Sequence, residues 1–193
     1  APAQIFRRPI YHDKKLNKVW LGYHQLWTKD ISNGKFDAKW IPKSFIPDLP
    51  MRNGMLFNRN VSTFAIGGNK NEYGFMAYDG PIWQNDSLKG KVFYCSNLNA
   101  EKPEWKDVSK YLTPLNWRQV YSAVFNPDDP SEVFIYWQDP YSGKYREAEK
   151  LTFYGNIDSV TTTDISGDLP KCPLGTIIIE PGEQRKMYIA TDS

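Results

Sequence analysis

Cysteine and histidine are scarce in this chain, and their scarcity limits the kinds of site it can hold. There are two cysteines and two histidines among 193 residues. Two cysteines do not make a disulfide framework, and two histidines are too few for a His-rich metal site. The sequence therefore predicts neither a metal centre nor a cofactor.

An excess of one charge and a long apolar run are also missing. Lysine and arginine number 24 and aspartate and glutamate 22, which leaves a net charge of +2. This balance gives no electrostatic footprint for nucleic acid. No apolar run approaches the roughly 20 residues of a membrane-spanning helix. The first residues, Ala1-Pro2-Ala3-Gln4, lack the pattern of a signal peptide. We therefore predict no nucleic-acid partner and no membrane-spanning segment.

The chain is rich instead in aromatic residues and turn formers. Phe, Tyr and Trp make up 15% of it, and 14 prolines and 13 glycines supply turns. Strands favour aromatic residues because flat side chains pack well between sheets. No stretch shows sustained helical periodicity. These features predict an all-β protein.

A pattern of paired apolar runs repeats along the sequence. In each pair the first run ends in a turn signal, and a second run follows within about ten residues. Aligned on one residue, the second runs superimpose Gly22, Ala77, Tyr136 and Ala190. The interval is about 55 residues, and short strands repeated at a period near fifty are typical of propeller blades.

The repeat predicts a β-propeller fragment of about three and a half four-stranded blades. The blades span residues 9–50, 61–114 and 119–170, and a half blade spans 174–193. We expect residues 1–193 to form part of one propeller. Propellers close with about four to eight blades, so we expect the chain to be incomplete and its partner to be the missing blades of the same propeller.

The alignment of the repeats also predicts where the fourth strand of each blade begins and how one ambiguous segment folds. The fourth strand opens at Trp40 in the first blade and at Trp105 in the second, and Thr162 takes that place in the third. Segment 144–151 has a helix-friendly composition. We predict that it leads into a strand, because the repeat requires one there and propensity is a weak prior.

The two cysteines are not expected to bond to each other. Cys95 closes a predicted third strand, whereas Cys172 follows a predicted fourth strand. Because strands alternate in direction, the two residues should lie at opposite ends of the sheets and at least one blade apart. A disulfide requires Cα atoms within about 7 Å.

The junction between the third and fourth units carries a family resemblance. Residues 164–179 (DISGDLPKCPLGTIII) resemble the blade junction of sortilin-type propellers, also called BNR or Asp-box propellers. Residues 187–192 (MYIATD) resemble the segment that follows in that family, and residues 6–29 resemble an earlier blade. The Ser/Thr-x-Asp-x-Gly-x-x-Trp box of the family is not kept at its usual spacing here.

The resemblance implies a location and a role. Such blades occur in large secreted or cell-surface bacterial proteins, including cargo of the type 9 secretion route. The chain would then be a non-catalytic scaffold or binding module of a larger extracellular protein, with a protein or a glycan as its ligand.

A secreted carbohydrate-active enzyme is the alternative. The segment Phe6-Arg7-Arg8-Pro9 resembles a motif of sialidases, whose arginines hold the substrate carboxylate. Asp79, Asp139 and Glu147 are candidate carboxylates for a glycosidase. Neither set can be placed in one pocket from the sequence, so a non-catalytic role is favoured.

Aromatic residues in the predicted connections are candidate binding residues. Rings at a propeller rim stack on sugars or anchor a protein partner. The alternative for each ring is packing between blades. The candidates near the second-to-third strand connections and the blade junctions are Tyr78, Trp83, Trp117, Tyr136, Trp137 and Tyr141.

Four residues are candidate glycosylation sites. Asn60 and Asn85 each begin an N-linked acceptor triplet. Ser87 and Ser159 each follow an aspartate and precede an apolar residue, which resembles the O-linked acceptor of the implied bacterial group. Chance matches are the alternative. We expect both serines to face solvent.

Overall fold

The computed structural model describes most of the chain. The described residues are 9–32, 34, 39–44, 60–78, 91–112, 119–138, 147–154, 157, 159–169, 174–180 and 186–191.

These residues form 14 strands in four sheets. The first sheet holds β1 (Ile10–Asp13), β2 (Lys18–Gly22), β3 (Leu26–Asp30) and β4 (Ile41–Pro42). The second holds β5 (Val61–Gly67), β6 (Tyr73–Tyr78), β7 (Lys91–Cys95) and β8 (Lys106–Asp107). The third holds β9 (Gln119–Phe125), β10 (Glu132–Gln138), β11 (Glu147–Tyr154) and β12 (Ser159–Asp164). The fourth holds β13 (Leu174–Ile179) and β14 (Met187–Thr191).

Within each sheet the strands are antiparallel and lie in chain order. This confirms the predicted all-β propeller architecture of three four-stranded blades and a two-stranded half blade. A single turn of 3-10 helix, Ser109–Tyr111, follows the second sheet. No helix in the described part of the chain has the length and apolar character needed to cross a lipid bilayer.

The strand register confirms the alignment of the repeat. The three aligned residues of the full sheets pair with the start of the third strand in the same way. These pairs are Gly22 with Leu26, Ala77 with Val92, and Tyr136 with Ala148. Thr162 pairs with Leu151. Continuation of the register places Trp40 and Trp105 at the same point of the first two sheets.

Each sheet has two faces, and consecutive sheets stack face to face. We call the face toward the following sheet the leading face and the face toward the preceding sheet the trailing face. In the second sheet Phe64 and Met76 pack against the first sheet, around Trp20. Their neighbours Ala65 and Phe75 pack against the third sheet. Because successive residues of a strand point to opposite faces, the second sheet is apolar on both.

The same two cross-strand pairs recur in all four sheets, between the first and second strands. The trailing-face pairs are Ile10–Leu21, Phe64–Met76, Ala123–Ile135 and Ile177–Ile189. The leading-face pairs are Tyr11–Trp20, Ala65–Phe75, Val124–Phe134 and Ile178–Tyr188.

The first strands of neighbouring sheets lie side by side and run in the same direction. β5 contacts β9, and β9 contacts β13. At the end of β5, a Cβ added to Gly67 would lie only 2.4 Å from Cγ of Phe125, which ends β9. Glycine is required there because the backbone of one sheet meets a buried ring of the next.

The shared strand direction gives the stack two ends. At the junction end the second strand leads to the third and each sheet leads to the next. At the hairpin end lie the turns between the first and second strands and between the third and fourth strands. Cys95 ends β7 on the hairpin side, and its buried thiol is free. Cys172 lies outside the described residues.

Candidate functional site

The junction end is the natural place for a binding site, because in the second and third sheets each of its connections is longer than those at the hairpin end. β6 ends at Tyr78 and β7 begins at Lys91, and β10 ends at Gln138 and β11 begins at Glu147. Loops held by a rigid scaffold commonly carry binding residues. The sequence places the predicted aromatic binding residues in or beside these connections.

Three of those aromatic residues lie on described strands, and all three are buried. Tyr78 is 3% exposed, Trp137 2% and Tyr136 0%. Tyr78 packs between the first and second sheets, Trp137 between the second and third, and Tyr136 between the third and fourth. In this arrangement the three rings hold neighbouring blades together, which is the alternative given above for them. Trp83, Trp117 and Tyr141 lie outside the described residues, and their binding role stays a prediction.

Tyr78 links two sheets through its hydroxyl as well as its ring. The hydroxyl donates a hydrogen bond to the carbonyl oxygen of His24 at 3.1 Å. Burial raises the pKa of Tyr78 to about 12, against a smaller lowering by a hydrogen bond with Ser44. The phenol therefore stays protonated at neutral pH and acts as a structural donor.

Two polar side-chain atoms of residues near Tyr78 are buried without a hydrogen-bond partner. They are Nδ1 of His24 and Oδ1 of Asn60. The backbone segments that carry them lie close together, because Val61 N–H, next to Asn60, donates to the carbonyl of Tyr23, next to His24, at 2.7 Å. Unpaired buried polar atoms are costly, and a bound polar group would satisfy them.

The described carboxylates that have shifted pKa values are all shifted downward. Hydrogen bonds from Ser32 lower the pKa of Asp30, and those from Ser166 lower the pKa of Asp164. Burial works to raise the pKa of Asp107 and of Glu132, but hydrogen bonds from neighbouring side chains outweigh it and both values are lowered. These groups are ionised at neutral pH and serve local turns or ion pairs.

The residues considered for catalysis cannot be placed in a site. Arg7, Arg8, Asp79 and Asp139 lie outside the described residues. Glu147 begins β11, but its side chain is not among those described. Within the described residues, no group of three or more His, Cys, Asp or Glu side chains could hold a metal ion.

Two of the four candidate glycosylation sites can be located. Ser159 begins β12 and is exposed, as expected for an acceptor. Asn60 directly precedes β5 and is half-buried. Asn85 and Ser87 lie outside the described residues. Modification at any of the four stays a prediction.

In each of the three four-stranded sheets, a serine that follows the fourth strand binds the start of the third strand at the junction end. These serines were not predicted from the sequence. The serine hydroxyl accepts the N–H of the residue that starts the third strand or lies next to its start. The residue before the serine donates its own N–H to the carbonyl of that same third-strand residue. The three bonds are Ser44 with Leu26 (2.8 Å), Ser109 with Val92 (2.9 Å) and Ser166 with Ala148 (3.0 Å).

Two of these serines belong to a short repeated motif. Asp107 Oδ1 accepts the N–H of Ser109 at 2.9 Å, and Asp164 Oδ1 accepts the N–H of Ser166 at 2.8 Å. Such Asp-x-Ser turns let the side chain replace a missing backbone partner. The recurrence of Asp-x-Ser after the fourth strand is the sequence signal that could have revealed this device.

No protein-family model, no curated protein and no solved structure matches the chain.

Proposed function

We propose that this chain is a non-catalytic β-propeller scaffold or binding module of a larger extracellular or cell-surface protein of the sortilin-like, BNR-repeat type. The observation that carries the proposal is that the described aromatic rings and the carboxylates with shifted pKa values serve the structure of the sheets. Among the described residues, the aromatic rings of β2, β6 and β10 pack between sheets. The carboxylates with shifted pKa values are held ionised by local hydrogen bonds.

An enzyme of the glycosidase class would need a different set of carboxyl groups. Its general acid must stay protonated near neutral pH, which requires a pKa raised by burial or by a neighbouring negative charge. The four described carboxyl groups that have a shifted pKa all have it lowered, so none of these four suits the role of that acid.

Binding is assigned to the junction end. The stacked sheets supply a rigid base there, with each full sheet closed by a serine. The connections that leave from this end include Trp83, Trp117 and Tyr141 in their sequence. Aromatic side chains on a rigid base suit a protein surface or the face of a sugar ring.

A binding screen tests the proposal directly. The intact chain would be screened on glycan and peptide arrays, and the best ligand titrated by calorimetry. We expect Trp83→Ala and Trp117→Ala each to weaken binding by about ten-fold or more, since aromatic anchors dominate such contacts. Tyr154→Ala is the matched control, because Tyr154 is 51% exposed and ends β11 on the hairpin side. Its affinity should be unchanged.

A turnover assay separates the enzyme alternative. The same preparations would be incubated with fluorogenic sialosides and β-glucosides. We expect no release of fluorophore above the buffer rate. Turnover that disappears in Glu147→Gln, Asp79→Asn or Asp139→Asn would contradict the proposal and favour a carbohydrate-active enzyme.

A further inference from the structure

The stack of sheets leaves one apolar pair uncovered at each of its two extremes. On the leading face of the fourth sheet, Ile178 is 58% exposed and Tyr188 53%. On the trailing face of the first sheet, Ile10 is 69% exposed and its partner Leu21 is half-buried. Large apolar side chains exposed together in this way mark an interaction surface.

The uncovered pair of the fourth sheet has the design of an inter-sheet contact. Ile178–Tyr188 is the equivalent of Val124–Phe134 in the third sheet. Val124 and Phe134 are themselves half-buried, because they pack against a cluster that contains Ile177 of the fourth sheet. The leading face of the fourth sheet therefore repeats a surface that, one sheet earlier, receives another sheet.

The trailing face of the first sheet resembles the other side of such an inter-sheet contact. Ile10–Leu21 is the equivalent of Ile177–Ile189, the pair by which the fourth sheet covers the third. Trp40, which is 39% exposed, stands where the second sheet has Trp105. Nε1 of Trp105 donates to a carbonyl oxygen of the preceding sheet, that of Lys43, at 2.8 Å.

Charge is complementary at the hairpin end of the same two faces. Glu180 occupies the position of Asp13, two residues beyond the leading-face pair. The carboxylate of Asp13 accepts a hydrogen bond from the turn between the first two strands of the following sheet. In the first sheet the corresponding turn contains Lys14 and Lys15, both exposed. A carboxylate at the position of Glu180 would therefore meet two cations.

We propose that two copies of this chain associate head to tail, with the leading face of the fourth sheet of one copy against the trailing face of the first sheet of the other. The contact is heterologous, so a second identical contact can close a two-fold ring. Two copies together hold eight sheets, and propellers use about four to eight blades. This inference goes beyond the proposed function, because it does not depend on what the junction end binds.

Sedimentation velocity and light scattering of the intact chain over a range of concentrations test the proposal. We expect a concentration-dependent dimer. Ile178→Asp removes the leading face and Ile10→Asp removes the trailing face, so each variant alone should be monomeric. Both residues are exposed in one copy, so the variants should keep its circular dichroism spectrum and melting temperature. Tyr154→Asp, at an exposed tyrosine away from both faces, should still dimerise.

Mixing the two interface variants gives the decisive result. An equimolar mixture of Ile178→Asp and Ile10→Asp retains one intact contact, between the leading face of the second variant and the trailing face of the first. We expect the mixture to recover a dimer that dissociates at lower salt or at a higher protein concentration than a closed one would, because one contact holds it instead of two. A monomer at every concentration would overturn the proposal and indicate that further blades of a longer chain, or another protein, cover these faces. A dimer kept by both variants, or no recovery on mixing, would also overturn it.

Discussion

Asn71 and Asp13 meet across the interface between the first and second sheets. Nδ2 of Asn71 donates a hydrogen bond to Oδ2 of Asp13 at 2.7 Å. Oδ1 of the same carboxylate accepts the backbone N–H groups of Lys15 and Leu16. Asp13 is fully buried, so one side chain both closes the first turn of its sheet and fixes the next sheet beside it.

Replacement of Asp13 should therefore destabilise the stack. Asp13→Ala leaves two backbone donors and the Asn71 amide without their acceptor in a buried place. We expect a loss of about 2–4 kcal/mol in the free energy of unfolding, measured by urea denaturation. Asp30→Ala, which removes an exposed aspartate of a similar turn, should cost clearly less. Equal losses for the two variants would show that the contact between sheets contributes little.

The serines of the junction end should contribute separately in each sheet. Ser109→Ala removes the acceptor of the Val92 N–H. We expect a loss of about 1 kcal/mol, and a similar loss for Ser166→Ala. The two serines lie in different sheets, so the double variant should lose the sum of both. Ser96→Ala, at an exposed position, should change the free energy of unfolding by no more than about 0.5 kcal/mol.

Much of the fold could be predicted because strand and turn patterns are local. The run Ile177-Ile178-Ile179 predicts a strand with apolar faces on both sides, and it forms the second half of β13. Segment 144–151 is predicted to lead into a strand despite its helix-friendly composition, and β11 begins within it, at Glu147. The repeat decided that case, because the pairing of β11 with its neighbours outweighs the intrinsic preference of single residues.

The environment of the side chains at the junction end, and the polar contacts between sheets, could not be predicted in the same way. Tyr78 and Trp137 stand at the ends of second strands, where the sequence suits an exposed rim and an inter-sheet contact equally well. Which of the two applies depends on the neighbouring sheet. The bond between Asp13 and Asn71 spans 58 positions and has no local signal. Polar contacts of this kind become visible only when the sheets are placed side by side.

Gly67 should tolerate no side chain. The ring and Cβ of Phe125 lie 2.4–2.7 Å from the position that a Cβ would take. We expect Gly67→Ala to cost about 1–3 kcal/mol, because Phe125 is buried between two sheets and cannot move freely. In the double variant with Phe125→Ala, the additional cost of the alanine at 67 should disappear. A cost that persists there would have to come from the backbone of β5.

Cys95 should be unreactive in the folded protein. Burial raises the pKa of its thiol from 9.0 to about 11, against smaller lowering by backbone hydrogen bonds from Asn97 and Glu104. The thiolate is the reactive form, and a pKa raised from 9.0 to about 11 reduces its population about a hundred-fold at pH 8. In a Cys172→Ser background we expect slow labelling by iodoacetamide in buffer and rapid labelling in urea. Rapid labelling of the native protein would contradict the buried placement.

Glu132 should make the protein sensitive to mild acid. Burial works to raise the pKa of this carboxyl, but the hydrogen bonds from Lys150 and Asn126 outweigh it, so the folded-state pKa is lowered. A lowered pKa means that the unfolded chain binds the proton first as the pH falls. The contribution of Glu132 is therefore fully present above about pH 5 and is lost as the pH falls through its folded-state pKa.

Glu132→Gln tests this by its pH profile rather than by its cost at neutral pH. The free energy of unfolding of the variant, measured in urea from about pH 7 to pH 3, should fall less steeply below pH 5 than that of the parent chain. Glu104→Gln removes one exposed negative charge at the hairpin end and serves as the matched control. Lys150→Met should also flatten the profile, because it removes the cation that favours the ionised form. If Glu132→Gln and Glu104→Gln gave the same profile as the parent, the ion pair with Lys150 would carry no pH-dependent stability.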